Sequence, residues 1–311
     1  MTSGGAFSAK LTFPSQTTSA SGQLALQGGQ TGAATAQFTN QIGGRSVAAL
    51  MVLALDSSTA VSGSLRAFGD ANPLAQIDGA MVANTSNAGL FNAAILSATT
   101  NPPAGNGYGS IVVSTNGTLI GLTLADPGAV ITALASDRLK NGAIPVFSSL
   151  YLQKGFLSGW LILTNQQVLS ESPLAWHKEA GAGTTFFAEG FNQWVSVQGG
   201  VYTSVTNLAG WGTNSLFFDG QPLEGELVDF ASSTYSNGLL SIPVTGGQQV
   251  ATTWIVTATN GLVELSGGRL TGTGILVPAT APSPGVYGFV TNTINGAGAV
   301  HSIESQPGST P

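Results

Sequence analysis

Two histidines, His177 and His301, are the only imidazole groups with which this chain could perform acid–base chemistry near neutral pH. A serine hydrolase triad needs a histidine beside a nucleophilic serine, but neither histidine accompanies a Gly-X-Ser-X-Gly turn. Neither has a partner at metal-ligand spacing, and the absence of cysteine removes thiol nucleophiles and thiolate metal sites. We place His177 at a strand end or in a loop, and we expect a protein that is not an enzyme and needs no cofactor.

The densest group of carboxylates comprises Asp219, Glu224, Glu226 and Asp229. Glu224 and Glu226 would share one face of a strand, which could serve a glycosidase or a calcium site. The Asp-X-Asp-X-Asp-Gly pattern of a calcium loop is absent, however. A solvated acidic loop explains the cluster more simply, so we predict no metal site.

Five tryptophans supply large flat rings. Trp160 and Trp254 occur within alternating strand patterns, which indicates core positions. Trp194 and Trp211 lie near glycine-rich segments, so we predict that both are exposed and could stack on a sugar ring or a protein partner. The competing interpretation is that these two rings also fill a β core.

The composition limits the partners of the chain. Only 7% of the 311 residues are charged, and the net charge is -6. Nucleic-acid binding needs clustered cations, but the eight cations here are scattered from Lys10 to Arg269, which excludes that class of function. The longest apolar run, 47–55, is too short for a transmembrane helix and indicates a buried strand. Residues 1–5 lack the features of a signal peptide, although a leader could have been removed.

The elements that would position these residues are strands. The segment 6–13 alternates apolar and polar residues as a half-buried strand does, and its apolar positions are Phe7, Ala9, Leu11 and Phe13. Comparable segments occur near 60–68, 107–114, 118–124, 146–152, 156–163, 250–259, 270–277 and 286–293. Asn-Gly or Asp-Gly pairs, which suit tight hairpins, occur at 78–79, 116–117, 141–142, 219–220, 237–238, 260–261 and 295–296. The pattern predicts an all-β fold of antiparallel meanders that forms a large β-barrel or β-sandwich, in one lobe or two.

A proline- and glycine-rich segment near 97–105 suggests where two lobes would meet. We divide the chain into an N-terminal β lobe at 1–100, with the terminal strand 6–13, and a main barrel or sandwich lobe at 101–305. Residues 306–311 form a flexible tail in this division.

Glycine-rich hairpin motifs recur in the second division, at 107–113 (Gly-Tyr-Gly-Ser-Ile-Val-Val), 116–118, 121–126, 149–151, 154–155, 157–161, 272–274, 285–289 and 298–300. They resemble a glycine-rich β-repeat domain of large secreted surface proteins of Verrucomicrobia and related bacteria. The resemblance covers roughly 104–165 well and 260–304 more thinly. It implies export, a cell-surface or extracellular location and a β-rich fold, and it assigns no catalytic residue.

The strand that contains Phe7, Ala9, Leu11 and Phe13 either closes its own sheet or adds to the sheet of a neighbouring copy. Few charges protect the sheet edges of such a chain, and a strand that crossed between copies would build a head-to-tail filament. We therefore expect a bacterial extracellular or cell-surface structural subunit whose partners are copies of itself. The alternative is a carbohydrate-binding or adhesive module that uses Trp194 and Trp211. An outer-membrane barrel is a third hypothesis, which the mean hydropathy of +0.26 permits but the five tyrosines hardly support.

Overall fold

The computed structural model of the chain describes residues 6–12, 17–26, 33–42, 44–54, 60–68, 70, 72–80, 88–97, 103, 105–126, 128–182, 186–219, 221–245, 253–266, 271–294 and 297–307. These residues form an almost entirely β structure of antiparallel strands. The helical segments within these ranges are three 3-10 turns of three residues each, so none has the length to cross a membrane. The predicted all-β class is confirmed.

Twenty-five strands follow one another along the described part of the chain. They are β1 (Ala6–Thr12), β2 (Thr17–Gln23), β3 (Ala25–Leu26), β4 (Ala33–Ile42), β5 (Arg45–Ala54), β6 (Ala60–Ala67), β7 (Pro73–Ala80), β8 (Gly89–Ser97), β9 (Gly107–Ser114), β10 (Gly117–Thr123), β11 (Val130–Ser136), β12 (Ala143–Leu150), β13 (Gly155–Leu163), β14 (Gln167–Ser170), β15 (Leu174–Lys178), β16 (Phe191–Tyr202), β17 (Thr213–Phe218), β18 (Gln221–Asp229), β19 (Thr234–Ser236), β20 (Leu239–Thr245), β21 (Thr253–Thr257), β22 (Leu262–Ser266), β23 (Thr271–Val277), β24 (Gly285–Ile294) and β25 (Ala297–Ser305).

The chain divides into two compact units, residues 1–84 with 138–143, and residues 85–137 with 144–311. In the first unit, β3 to β7 form an open antiparallel meander in sequence order, and β1 and β2 form a separate two-stranded ribbon. The apolar positions of the meander alternate, and its core includes Phe38, Val47 and Leu65. Phe7 of the ribbon packs against that core.

In the second unit, strands β8 to β16 form one antiparallel sheet in the order β11-β10-β9-β8-β16-β14-β13-β12, with β15 paired to both β13 and β16. Each of the nine strands contributes buried apolar side chains to the same core, so the sheet curls around its inner face. The two end strands, β11 and β12, follow each other in the sequence. The hydroxyl of Ser136 donates to the carbonyl oxygen of Pro145 over 2.7 Å between these two strands.

The remaining strands of the second unit form a closed eight-stranded barrel. The order β18-β17-β25-β24-β23-β22-β21-β20 returns from β20 to β18, where Val228 pairs with Val244, and β19 pairs with the other end of the same edge of β20. A barrel of eight strands has an interior just wide enough to be filled by side chains. Here the interior holds Phe230, Ile242 and Trp254 among other apolar residues, so it is a packed core.

Polar and apolar contacts join the curled sheet to the barrel within the second unit. The side-chain amide of Asn92, which is fully buried, donates to the carbonyl oxygens of Asn260 and Leu276 over 2.8 and 3.0 Å. Asn106 donates to Glu304 Oε2 over 3.0 Å, and burial raises the pKa of the Glu304 carboxyl. An apolar cluster that includes Ala94, Ile275 and Tyr287 lies at the same junction.

The structure agrees with some of the predicted turns and contradicts one. Asn237 and Gly238, between β19 and β20, both have positive φ (50° and 82°), as the Asn-Gly signal predicts for a tight hairpin. The predicted turn at Asp78–Gly79 is wrong, because β7 continues through both residues and pairs there with Ser62 and Val61.

The compact units divide at residues 84 and 85, rather than after residue 100, because β8 pairs with β9 and β16 of the second unit. Sheet pairing therefore assigns β8 to the main lobe. Of the predicted tail 306–311, only residues 306 and 307 fall within the described ranges.

Candidate functional site

Strand alternation determines which side chains of β15 and β16 face outward. On β15, Leu174, Trp176 and Lys178 are buried, and the residues between them are not. On β16, Trp194 is 56% exposed between buried neighbours on either side. The outer surface of the curled sheet therefore presents the residues that alternate with its core.

A row of aromatic rings crosses this outer surface from β12 to β15. The rings of Phe147 and Phe156 stack with centroids 6.4 Å apart, and Phe156 lies 5.3 Å from the imidazole of His177. His177 Nδ1 forms a 2.6 Å hydrogen bond with the side-chain oxygen of Asn192. The structure thus places His177 next to the last residue of β15, at a strand end as predicted, and its neighbours there are aromatic and amide groups.

Trp194 stands beside this row. It pairs across the strands with Ala175, which in turn pairs with Ser158, so two small side chains occupy the positions next to the indole. An exposed indole with small neighbours leaves room for a flat apolar ligand to stack on it. Asn192 and His177, one pleat away, provide hydrogen-bonding atoms at the same surface. We call Phe147, Phe156, His177, Asn192 and Trp194 the aromatic surface.

The structure does not bring Trp211 to this surface. Trp211 lies in the 3-10 turn Ala209–Trp211, is half-buried, and packs on Phe230 of the barrel core with ring centroids 5.2 Å apart. Its carbonyl oxygen accepts a 2.8 Å hydrogen bond from Asn214. The two tryptophans predicted as a common platform therefore belong to different surroundings, one on the outer face of a sheet and the other against a barrel core.

Beneath the aromatic surface, the inner side of β15 takes part in a buried polar network. Lys178 Nζ lies 2.8 Å from Asp126 Oδ2, and both side chains are 0% exposed. The ammonium also donates to the carbonyl oxygen of Phe186 over 2.6 Å and lies 4.8 Å from the centroid of the Tyr151 ring. Trp176 Nε1 donates to the Tyr151 hydroxyl over 3.1 Å. The core therefore contains an ion pair, Lys178 with Asp126, and the rings of Tyr151 and Trp176 lie beside it.

A left-handed turn positions Tyr151 in this network. Tyr151, Leu152 and Gln153 all have positive φ (53°, 55° and 74°), which is uncommon for residues other than glycine. A β-carbon at Gly155 would lie 2.6 Å from the Tyr151 ring, so the ring fits only because this residue has no side chain. Burial, and next the charge of Asp126, raise the pKa of the Tyr151 phenol, which keeps it protonated.

The predicted acidic cluster separates into unlike surroundings. Asp229 accepts hydrogen bonds from the backbone N–H of Ser232 and the hydroxyl of Thr213, and hydrogen bonding by the Ser232 side chain chiefly lowers the pKa of its carboxyl. Asp219 lies 2.8 Å from His301 Nδ1, and Glu226 is buried. The side chain of Glu224 lies outside the described residues. Within the described ranges, no three histidine or carboxylate groups converge as a metal site would require.

The N-terminal strand is paired over its full described length. β1 pairs antiparallel with β2 from Ala6↔Gln23 to Thr12↔Thr17. The ring of Phe7 lies over Gly22 and 6.0 Å from the ring of Phe38. The side chains of Ala9 and Leu11, and the whole of Phe13, lie outside the described residues.

Sequence reasoning missed the buried network, although one signal for it exists. Lys178 lies two residues after Trp176 and four after Leu174, so strand alternation predicts that this charged side chain points to the core side of β15. A buried lysine needs a partner, but nothing in the sequence identifies Asp126, which lies 52 positions earlier.

The chain was compared with protein-family models, with curated proteins and with solved structures, and it matches none of them.

Proposed function

We propose that the chain is a structural subunit of a bacterial extracellular or cell-surface assembly, in which copies join by β-strand addition. The resemblance to secreted surface domains and the low charge content support the location. The observation that carries the proposal is the pairing in the first unit, where, among the described residues, β1 pairs with β2 alone and β7 pairs with β6 alone. Each strand can therefore offer a second edge to another chain.

The two edges carry opposite charges. β1 contains one charged residue, Lys10, and β7 contains one, Asp78. Addition of β1 from one copy to β7 of the next would be head-to-tail, and a head-to-tail contact that does not close builds a filament. A lysine and an aspartate on adjacent strands stabilise the pairing, whereas like charges oppose it.

The first test is negative-stain electron microscopy of the full chain beside a variant that lacks residues 1–13. We expect filaments from the full chain and discrete particles from the truncated variant. Discrete particles from the full chain at every concentration would refute assembly as the function.

A charge exchange then tests the β1–β7 contact without removing a strand. Lys10→Glu should raise the critical concentration for assembly about 2- to 10-fold, because a favourable cross-strand pair of roughly 0.2–1 kcal/mol becomes a repulsive one. The double variant Lys10→Glu/Asp78→Lys should restore assembly, and Asp78→Lys alone serves as the matched control. A double variant that assembles no better than the single ones would place the contact elsewhere.

The aromatic surface supports a second candidate function, the binding of glycans. The specific observation is the exposed indole of Trp194 with Ala175 beside it and the Asn192–His177 pair within one pleat. Sugar rings present C–H faces to aromatic rings and hydroxyls to amide and imidazole groups. A site on the outer face of one sheet would bind weakly alone and more strongly when many copies are displayed together.

Tryptophan fluorescence tests this candidate. Glycans should quench the emission of the wild type, and Trp194→Ala should abolish the response, because the exposed Trp194 indole is both the stacking surface and the fluorophore that reports binding. Trp211→Phe is the matched control, since it removes a half-buried tryptophan that packs against the barrel core and should leave the response intact. A response that survives Trp194→Ala, or no response over a broad glycan panel, would remove the aromatic surface as a glycan site.

A further inference from the structure

The buried pair of Lys178 and Asp126 has a second property besides its charge. Its two reactive groups, a primary amine and a carboxyl, are held 2.8 Å apart with no access for water in the structure. The pair connects β15 to the turn between β10 and β11, two parts of the curled sheet that are 52 positions apart in the chain. A simple buried ion pair contributes little to stability, because the loss of hydration offsets the attraction.

We propose that Asp126 and Lys178 condense to an intramolecular amide, which cross-links the curled sheet. The chain contains no cysteine, so it has no disulfide with which to tie distant strands. An amide between side chains would provide a covalent tie that does not depend on the redox state of the surroundings. This amide would form within a single chain, whether or not the chain self-assembles or binds glycans.

The reaction balances without a co-reactant. A proton passes from Lys178 Nζ to Asp126 Oδ2 along their hydrogen bond, which gives an amine and a carboxylic acid. The amine lone pair attacks Cγ of Asp126 and forms the C–N bond. The C–O bond then breaks, and the departing hydroxyl takes a proton from the nitrogen and leaves as water. The ion pair and the amide therefore differ by one water molecule, and no group is oxidised or reduced.

The neighbours of the pair are those that such a condensation needs. The backbone N–H of Gly128 donates to Asp126 Oδ1 over 3.3 Å, and the Tyr151 phenol, whose pKa burial raises, is near enough for the charge of Asp126 to raise that pKa further. Donors aimed at a carboxyl stabilise the negative charge that develops on its oxygen when a nucleophile attacks. The carbonyl oxygen of Phe186, 2.6 Å from Nζ, orients the amine.

The role of Tyr151 requires that its hydroxyl stay protonated. Burial and the nearby charge of Asp126 raise its pKa, so the hydroxyl remains a donor throughout the neutral range. Trp176 donates to the same oxygen and fixes its direction. The left-handed turn at Tyr151–Gln153 holds the ring under the ammonium. These contacts provide the pre-organisation that an uncatalysed condensation in water lacks.

Intact-mass spectrometry of the purified full chain provides the test. We expect a mass below the sequence value by about 18 Da, the mass of the one water lost. Trypsin should fail to cut after Lys178, since an acylated lysine is not a substrate. Digestion should then give a branched product in which the segment 67–138, bounded by Arg66 and Arg138, is attached to the segment 155–269, bounded by Lys154 and Arg269.

Variants assign the bond. Asp126→Ala should restore the full sequence mass and the tryptic cut after Lys178, and Lys178→Met should restore the full mass. Tyr151→Phe should leave a larger fraction of molecules at the full mass, because the hydroxyl beside the carboxyl is lost. Wild-type protein that is folded, has the full sequence mass and is cut after Lys178 would overturn the proposal, and that measurement does not depend on whether any variant folds.

Discussion

Leu152 allows the left-handed turn to be tested by substitution, because its side chain contributes almost nothing else. Leu152 has φ 55° and ψ 45°, and its side chain is 98% exposed. The left-handed conformation costs a residue with a β-carbon about 1–2 kcal/mol, and glycine avoids this cost. Glycine also loses about 0.5–1 kcal/mol more conformational entropy on folding. Leu152→Gly should therefore stabilise the protein by about 0.5–1 kcal/mol.

The assay is urea denaturation at constant protein concentration, with the free energy of unfolding compared across a series at this position. Asparagine tolerates the left-handed conformation, so Leu152→Asn should also stabilise, and the β-branched Leu152→Val should destabilise. Leu119, half exposed on β10, is the matched control, and Leu119→Gly should destabilise as glycine usually does in a strand. If glycine destabilises equally at both positions, the turn is not left-handed and the placement of Tyr151 is refuted.

Three further predictions concern burial in the second unit. Burial raises the pKa of Glu304, so its ionisation destabilises the fold as the pH rises from the ordinary value of 4.5 through the raised one. Glu304→Gln, which keeps the bond to Asn106, should therefore raise the melting temperature at neutral pH and give no gain below the ordinary pKa. Burial raises the pKa of Tyr202 from 10.0 to about 12, so the free energy of unfolding of the wild type should fall by up to about 1 kcal/mol per pH unit between these pH values. Urea titrations should show this fall in the wild type and not in Tyr202→Phe. A β-carbon at Gly199 would lie 2.3 Å from a backbone oxygen of β8, so Gly199→Ala should lower the free energy of unfolding in urea by roughly 1–3 kcal/mol. A β-carbon at Gly210 would touch nothing within 4 Å, so Gly210→Ala should leave the free energy of unfolding nearly unchanged.

The strands of this protein could be predicted from the sequence because period-two alternation is a local property. The alternation predicts core positions for Trp254 and Trp160, and Trp254 is fully buried inside the barrel, whereas Trp160 on β13 is only partly buried. Barrel closure could not be predicted in the same way. The closing contact joins β18 to β20, and these strands are not neighbours in the chain, so no hairpin signal marks their pairing.

The candidate site shows a different limit of sequence patterns. Alternation divides a strand into two faces but does not say which face the fold will cover. Phe147 and Phe156 are large apolar residues that a pattern assigns to a core, yet they face outward together because the sheet curls around its other side. The prediction for Trp211 is wrong in the opposite direction. Its glycine-rich context indicates an exposed ring, but a 3-10 turn directs the ring onto Phe230.

The shortest strand pairings of the barrel determine where its interior first becomes accessible to solvent. Among the described residues, β18 pairs with β20 at two positions and β17 pairs with β25 at two, whereas β24 and β25 pair at nine. A ring of strands separates first where the fewest backbone hydrogen bonds must break together, so we expect local opening to start at these two short contacts, which flank the paired strands β17 and β18. Amide hydrogens at both contacts should exchange with deuterium sooner than those of β24. Under mechanical load, the pair of strands β17 and β18 would therefore be the part of the barrel that detaches first.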